Sequence, residues 1–295
     1  MKYALLATTA LLLSACAQPS EAPPATDAAP APTAAVATSD SAVRPHAFPR
    51  SFEYMPEGGV LVFSATGDWR HDSGIAGASA FWARTFDETG RGLFTTEDAR
   101  VFDQDLSKFS VIVLNSPTGD VLSKSQQAAI EAFVENGGGI VATHAAGDSS
   151  LAGTWPWWEA QLGTEFISHP ADPQFQTADV VTLATDHPVM EGLGAKFAMS
   201  DEWYTFTGVP TGEVVLLAGL DESTYSPVNK VYGPEDLSMG PEPADHPVVW
   251  ARCPGEGRVV YSAMGHKTDA FDDPNHQRLL LNALEWVTAD GPGCP

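Results

Sequence analysis

The sequence predicts an α/β domain of three layers, with a mostly parallel central sheet covered by helices. Short, continuous apolar runs bounded by turn residues recur along the chain, the pattern of strands buried on both faces. Between them stand stretches with apolar residues at helical spacing, and such alternation builds parallel sheets. The first fifty or so residues differ in composition, which leaves about 240 for the domain, enough for one well-buried core.

Taken in order, Val60–Ser64 is the first buried strand, ending at Gly67. Residues 73–89 carry Ile75, Ala78, Phe81, Trp82 and Phe86 on one helical face. Val111–Leu114 is the second buried strand. Ser123 with Gln126 three positions later forms a capping-box pattern that opens a helix with Ile130, Phe133 and Val134 on one side, and Asn136-Gly137 ends it. Gly139–Thr143 follows as a third strand, and Val214–Leu217, Val248–Trp250 and Val259–Ser262 extend the sheet. A last helix at about 275–288 shows Leu279, Leu280, Ala283, Leu284 and Val287 on one stripe.

Residues 1–15 read as an export signal: Met1-Lys2, an apolar stretch from Ala4 to Leu13, then Ser14 and Ala15. Cys16 directly after them resembles the lipobox of bacterial lipoproteins, whose cysteine is diacylated and becomes the new N-terminus. Several acyl chains on one residue anchor stably where a single chain is marginal. Residues 16–50 are then the lipid-bearing cysteine and an Ala/Pro-rich linker too poor in apolar residues to fold, and 51–295 are the domain. Ala17, not Asp, follows the cysteine. That favours the outer membrane of a bacterial envelope, with the domain facing the periplasm or the cell surface. Acidic residues outnumber basic ones 38 to 15, a formal charge of -23. Such a field repels nucleic acid and anionic lipid, so the membrane is a partner through the lipid anchor only. The remaining cysteines, Cys253 and Cys294, are expected to pair in an oxidising compartment, with two free thiols as the alternative.

Ligands of parallel sheets bind beyond the carboxyl ends of the strands. Here those ends read Gly67-Asp-Trp-Arg-His-Asp72, His144-Ala-Ala-Gly-Asp148 and Gly265-His266. Three strand ends each deliver a histidine, expected on one edge. The segments VLVFSATGDWRHDS (60–73), GGGIVATHAAGD (137–148), WPWWEAQLG (155–163), HPADP (169–173), DEWYTF (201–206), HPVVWAR (246–252) and GRVVYSAMGHKTDAF (258–271) follow in order. Together they resemble the ThuA-like family, named for trehalose utilisation, over residues 58–288. The resemblance implies a flavodoxin-like fold related to class I glutamine amidotransferases, and a context of carbohydrate catabolism that includes 3-keto-glycosides. Those amidotransferases carry a nucleophilic cysteine at a sharp strand-to-helix turn. His144 stands at the matching position, so thiol glutaminase chemistry is not available.

The candidate catalytic residues are His71, His144, His169, Glu202 and His266. Arg70, Asp72, Asp148, Asp201, Trp203 and Tyr204 are the candidates for binding substrate. Each has a plainer alternative. Arg70, His71 and Asp72 could be a loop salt-bridge cluster, residues 201–204 an alternating edge strand, and His169 a loop-shaping residue before Pro170. Trp155, Trp157 and Trp158 read as core, His187 and His246 as structural, and His46 and His276 carry no signal. The leading function is an enzyme acting on a sugar or 3-keto-sugar by histidine acid/base chemistry, with His144 and His71 as the pair, Arg70 as an oxyanion or hydroxyl clamp, and Asp201 or Glu202 as hydroxyl ligand or second base. One alternative is a metal-dependent hydrolase using the same histidines on Zn²⁺ or a similar ion. Another is a lipoprotein that binds carbohydrate without turning it over.

Overall fold

In the computed structural model the described residues are 52–231 and 235–289. The signal, Cys16, the linker, His46 and Cys294 lie outside them. The apolar runs become strands: β1 (Gly59–Phe63), β2 (Leu93–Thr96), β3 (Phe109–Asn115), β4 (Gly139–Thr143), β5 (Phe166–Ser168), β6 (Gln176–Thr182), β7 (Lys196–Asp201), β8 (Thr205–Phe206), β9 (Val215–Asp221), β10 (Val228–Asn229), β11 (Glu235–Asp236), β12 (Pro247–Arg252) and β13 (Arg258–Ser262). The helices are α1 (Asp72–Thr89), α2 (Lys124–Glu135), α3 (Ser149–Ala152), α4 (Pro156–Leu162) and α5 (Pro274–Thr288).

Nine strands form the central sheet in the order β2-β1-β3-β4-β13-β12-β9-β6-β7. From β2 to β13 every pairing is parallel, and β1, β4 and β13 are buried along their whole length. Beyond β13 the pairings are antiparallel. This half ends in β7, whose exposed and buried residues alternate strictly, as in a strand with one face on the core. Four successive reversals return β7 to the direction of β13, so both strands end at the same edge of the sheet. Residues 201–204 are not the alternating edge strand of the plainer reading: β7 stops at Asp201, and residues 202–204 beyond it are all buried.

Helix boundaries follow local chemistry. Ser123 and Gln126 make the expected reciprocal cap of α2, and Asp273 caps α5 through the Asn275 and His276 N–H groups. Helix α5 buries Leu279, Leu280, Ala283, Leu284 and Val287 against β4 and β13. Trp155 and Trp158 are buried and stacked on each other, which makes the tryptophan cluster core. Gly74 lets α1 approach the end of β13: a Cβ there would lie 2.3 Å from the Gly265 carbonyl oxygen. Among the described residues no helix is long and apolar enough to cross a membrane.

Candidate functional site

Each site residue follows the end of a strand. His71 immediately precedes α1 after β1, His144 follows β4, His266 lies four residues beyond β13, and Glu202 follows β7. Three strands separate β13 from β7 in the sheet. Their ends nevertheless meet, because the buried Asp201 carboxylate accepts the Gly265 N–H at 2.7 Å and the His266 N–H at 3.2 Å. The antiparallel half of the sheet therefore curls over the end of the parallel half.

His144 sits in a left-handed backbone conformation, φ 47°, which costs a non-glycine residue about 1–2 kcal/mol. The surroundings hold it there. Tyr261 Oη donates to the His144 carbonyl at 2.9 Å, and His144 Nδ1 lies 2.9 Å from the Ala263 carbonyl. A carbonyl only accepts, so Nδ1 carries the proton and Nε2 faces the pocket. From Nε2 it is 3.1 Å to His266 Nδ1 and 3.4 Å to Glu202 Oε2, and His266 Nδ1 lies 3.0 Å from the same Oε2. The ring of His71 packs edge-on against both imidazoles at 4.7 Å, and its buried Nδ1 has no hydrogen-bond partner. His71, His144, Glu202 and His266 each offer one ligand atom, all within 4.8 Å of one another, so these are the residues able to hold a metal ion.

Electrostatics follow from this crowding. Burial by itself would raise the Glu202 carboxyl, but hydrogen bonds from His144 and His266 outweigh it and hold the group well below the usual carboxylate range. Burial likewise disfavours charge on His144, and its hydrogen bond to Glu202 overrides that and raises its affinity for a proton. His71, without a direct carboxylate bond, is pushed down to about 3 by burial and then by the neighbouring imidazoles His144 and His266. Glu202 thus concentrates negative charge among nitrogens and draws positive charge into the pocket.

His169 stands at the rim, its side chain 28% exposed, with Nδ1 3.3 Å from Glu202 Oε1 and 3.1 Å from the Pro170 carbonyl. The Tyr204 ring is buried, its centre 4.3 Å from that of His144. Other candidates are committed within the protein. The Arg70 guanidinium bonds Glu97 and Asp72, the plainer salt-bridge alternative, and is no free oxyanion clamp. Asp72 is exposed and turned to Arg70. Asp148 caps α3 by accepting the Ser150 and Leu151 N–H groups, and Asp201 is the loop clamp. Trp203 is 1% exposed with its indole N–H on the Gln176 carbonyl, so it offers no face to a sugar.

Two neighbours escaped the sequence. Gln174 donates to Glu202 Oε1 at 2.5 Å. Phe175 packs on the His266 ring at 5.0 Å, with the Lys267 ammonium 4.2 Å from its own ring centre. Their only signal was position, just after the HPADP segment. Of the remaining histidines, buried His246 bridges Glu222 Oε1 at 2.6 Å and the Tyr204 carbonyl at 2.8 Å. His276 faces the Ala270 carbonyl at 2.9 Å. Cys253 is disulfide-bonded. Three surface hollows, around Phe133, Arg252 and His187, lie away from this edge.

No curated protein matches the chain. Among solved structures, one described as ThuA-like, from Bacteroides uniformis ATCC 8492, superposes with a TM-score of 0.66 at 27% identity, covering 81% of this chain and 95% of that one. A second, ThuA-like and from Parabacteroides merdae ATCC 43184, gives 0.60 at 18% identity over 79% and 90% of the two chains. At 10% identity a cytoplasmic protein of Salmonella typhimurium LT2, STM1381, shares the fold alone, with a TM-score of 0.53 over 77% of this chain and 99% of that one. The family model described as "Trehalose utilisation", ThuA, matches residues 59–287, nearly the whole described domain and every residue of the site. The chain belongs to the ThuA family.

Proposed function

We propose that the chain is an enzyme of carbohydrate breakdown that acts on a sugar or keto-sugar at the edge formed by His71, His144, His169, Glu202 and His266. The observation that carries this reading is the meeting of three imidazoles and one carboxylate, from four strand ends, around a single point. A core histidine needs one or two hydrogen bonds and no such company. The ThuA family is tied to trehalose utilisation, which supports a carbohydrate as the substrate class.

Hydrogens beside a sugar ketone are acidic, and elimination of a β-substituent and isomerisation both begin with loss of one. His144 and His71 are buried. With Glu202 and His266 they form the base of the site, beside which negative charge would develop on a substrate oxygen. His169 is open to solvent and backed by Glu202, so it is placed to take and return the proton. We also propose that Cys16 carries lipid and the domain works in the bacterial envelope. A Cys16→Ser chain that remained in the membrane fraction would overturn that part.

The test is incubation of the purified protein with 3-keto-glycosides and the parent glycosides in D₂O, followed by NMR and mass spectrometry. Deuterium entering next to the ketone, or a new product, is expected and should fall at least about 100-fold in His169→Ala, within the usual range for a general base. Binding without exchange or product would refute catalysis and leave a carbohydrate-binding protein.

A further inference from the structure

We infer that His71, His144, Glu202 and His266 hold a divalent cation of the zinc class. This deepens the function proposed above and takes from it only that this edge is where substrate is handled.

The argument begins with distances. A tetrahedral ion with nitrogen and oxygen ligands at about 2.0–2.1 Å has ligand-to-ligand edges of about 3.3 Å. The three pairs among His144 Nε2, His266 Nδ1 and Glu202 Oε2 are 3.1, 3.4 and 3.0 Å apart. They form one face of such a tetrahedron. His71 offers a fourth atom within 4.8 Å of each.

Protons satisfy this face only at a cost. A ring nitrogen either donates or accepts along its one in-plane direction and never does both. His144 has already used its Nδ1 proton on Ala263. If both inward nitrogens carry hydrogen, both turn to Glu202 Oε2 and crowd each other across 3.1 Å. If only one does, the other and the carboxylate turn lone pairs on each other. A cation satisfies all three contacts together.

A second, independent observation concerns His71. It is 7% exposed, and its Nδ1 is buried without any hydrogen-bond partner. An unpaired buried polar nitrogen is costly, and native proteins seldom leave one without a use.

The surroundings resemble those of known metal ligands, whose far sides are tied down. His144 is held through Nδ1 by Ala263, Glu202 through Oε1 by Gln174, and the His266 backbone by Asp201. With no thiolate, and three imidazoles beside one carboxylate, the set suits Zn²⁺ and neighbouring first-row divalent ions over soft Cu(I) or all-oxygen Ca²⁺ and Mg²⁺. His169 lies outside the set, at the rim.

The experiment uses full-length protein, purified without added metal, and elemental analysis. After chelator treatment it is titrated with Zn²⁺ in a calorimeter. About one equivalent of transition metal and a single saturable site are expected. Glu202→Gln and His71→Asn, which preserve shape, should each weaken Zn²⁺ at least about 10-fold, while exposed Asp269→Asn should not. Circular dichroism establishes that each variant is folded, and an unfolded one is replaced by His266→Gln. No metal in the purified protein with no Zn²⁺ uptake, or affinity indifferent to both substitutions, overturns the inference. The two readings separate cleanly. Turnover of a keto-sugar by fully metal-free protein would sink the cation and keep the sugar chemistry, whereas a bound ion in a protein inert to sugars would do the reverse.

Discussion

Replacing Asp201 by Asn isolates the contact that brings the two halves of the sheet together at the site. The Asp201 carboxylate is buried, with Oδ2 accepting from Gly265 N–H at 2.7 Å and Oδ1 accepting from His266 N–H at 3.2 Å and from Glu202 N–H at 2.9 Å. An amide has one oxygen. If it keeps the Oδ1 partners, its NH₂ confronts the Gly265 N–H; flipped, it confronts two donors. At least one charge-assisted bond, worth about 1.5–3 kcal/mol, is lost and a buried donor is stranded. The expected cost is about 3 kcal/mol, which for a domain of this size lowers Tm by about 6–12 °C. Because the same bond fixes the His266 backbone, Zn²⁺ affinity should fall about 10-fold or more. Thermal unfolding followed by tryptophan fluorescence, and calorimetric titration of the same sample, read both effects. A variant with Tm within about 1 °C of the parent and unchanged Zn²⁺ affinity would show that Asp201 does not clamp the site.

Three further outcomes are expected. His144→Gly and His144→Ala should both lose cation binding, but the glycine variant should be more stable by about 1 kcal/mol, because φ 47° suits glycine; equal urea midpoints would deny the strain. Gly74→Ala places a Cβ 2.3 Å from the Gly265 carbonyl and should destabilise by about 1–3 kcal/mol, measured by urea unfolding, by forcing α1 off the loop that carries His266. Glu222 gives a pH dependence. Burial raises its carboxyl, but the His246 hydrogen bond prevails and lowers it. A depressed carboxyl contributes stability that is present above its unfolded value, about 4.3, and lost as pH falls through the folded one. Urea midpoints of Glu222→Gln should therefore converge with the parent in acid and separate above about pH 5; a constant gap would contradict the assignment.

Much of this fold is legible locally. Runs such as Val111–Leu114 and Gly139–Thr143 are apolar because both faces of their strands are covered, and that leaves a mark on every residue. The Ser123–Gln126 cap is written within four positions of the chain. The antiparallel half was harder to read, because β6 and β7 carry polar residues on their outward faces and β6 joins the sheet through β9, beyond β7 in the chain. Within the site, the commitment of Arg70 to Glu97, 27 residues on, and the burial of Trp203 beneath Gln176 depend on neighbours that no local pattern names.

From its sequence alone, then, this protein declared an α/β sheet and three histidines at strand ends, because where a strand stops is decided by the residues in and around it. Tertiary structure alone decided that Glu202 joins those histidines. It arrives on the far edge of a nine-stranded sheet and reaches them only because the sheet curls and Asp201 binds the end of β7 to the end of β13. Distances of about 3 Å between donors are properties of that closure, set by packing across the whole domain.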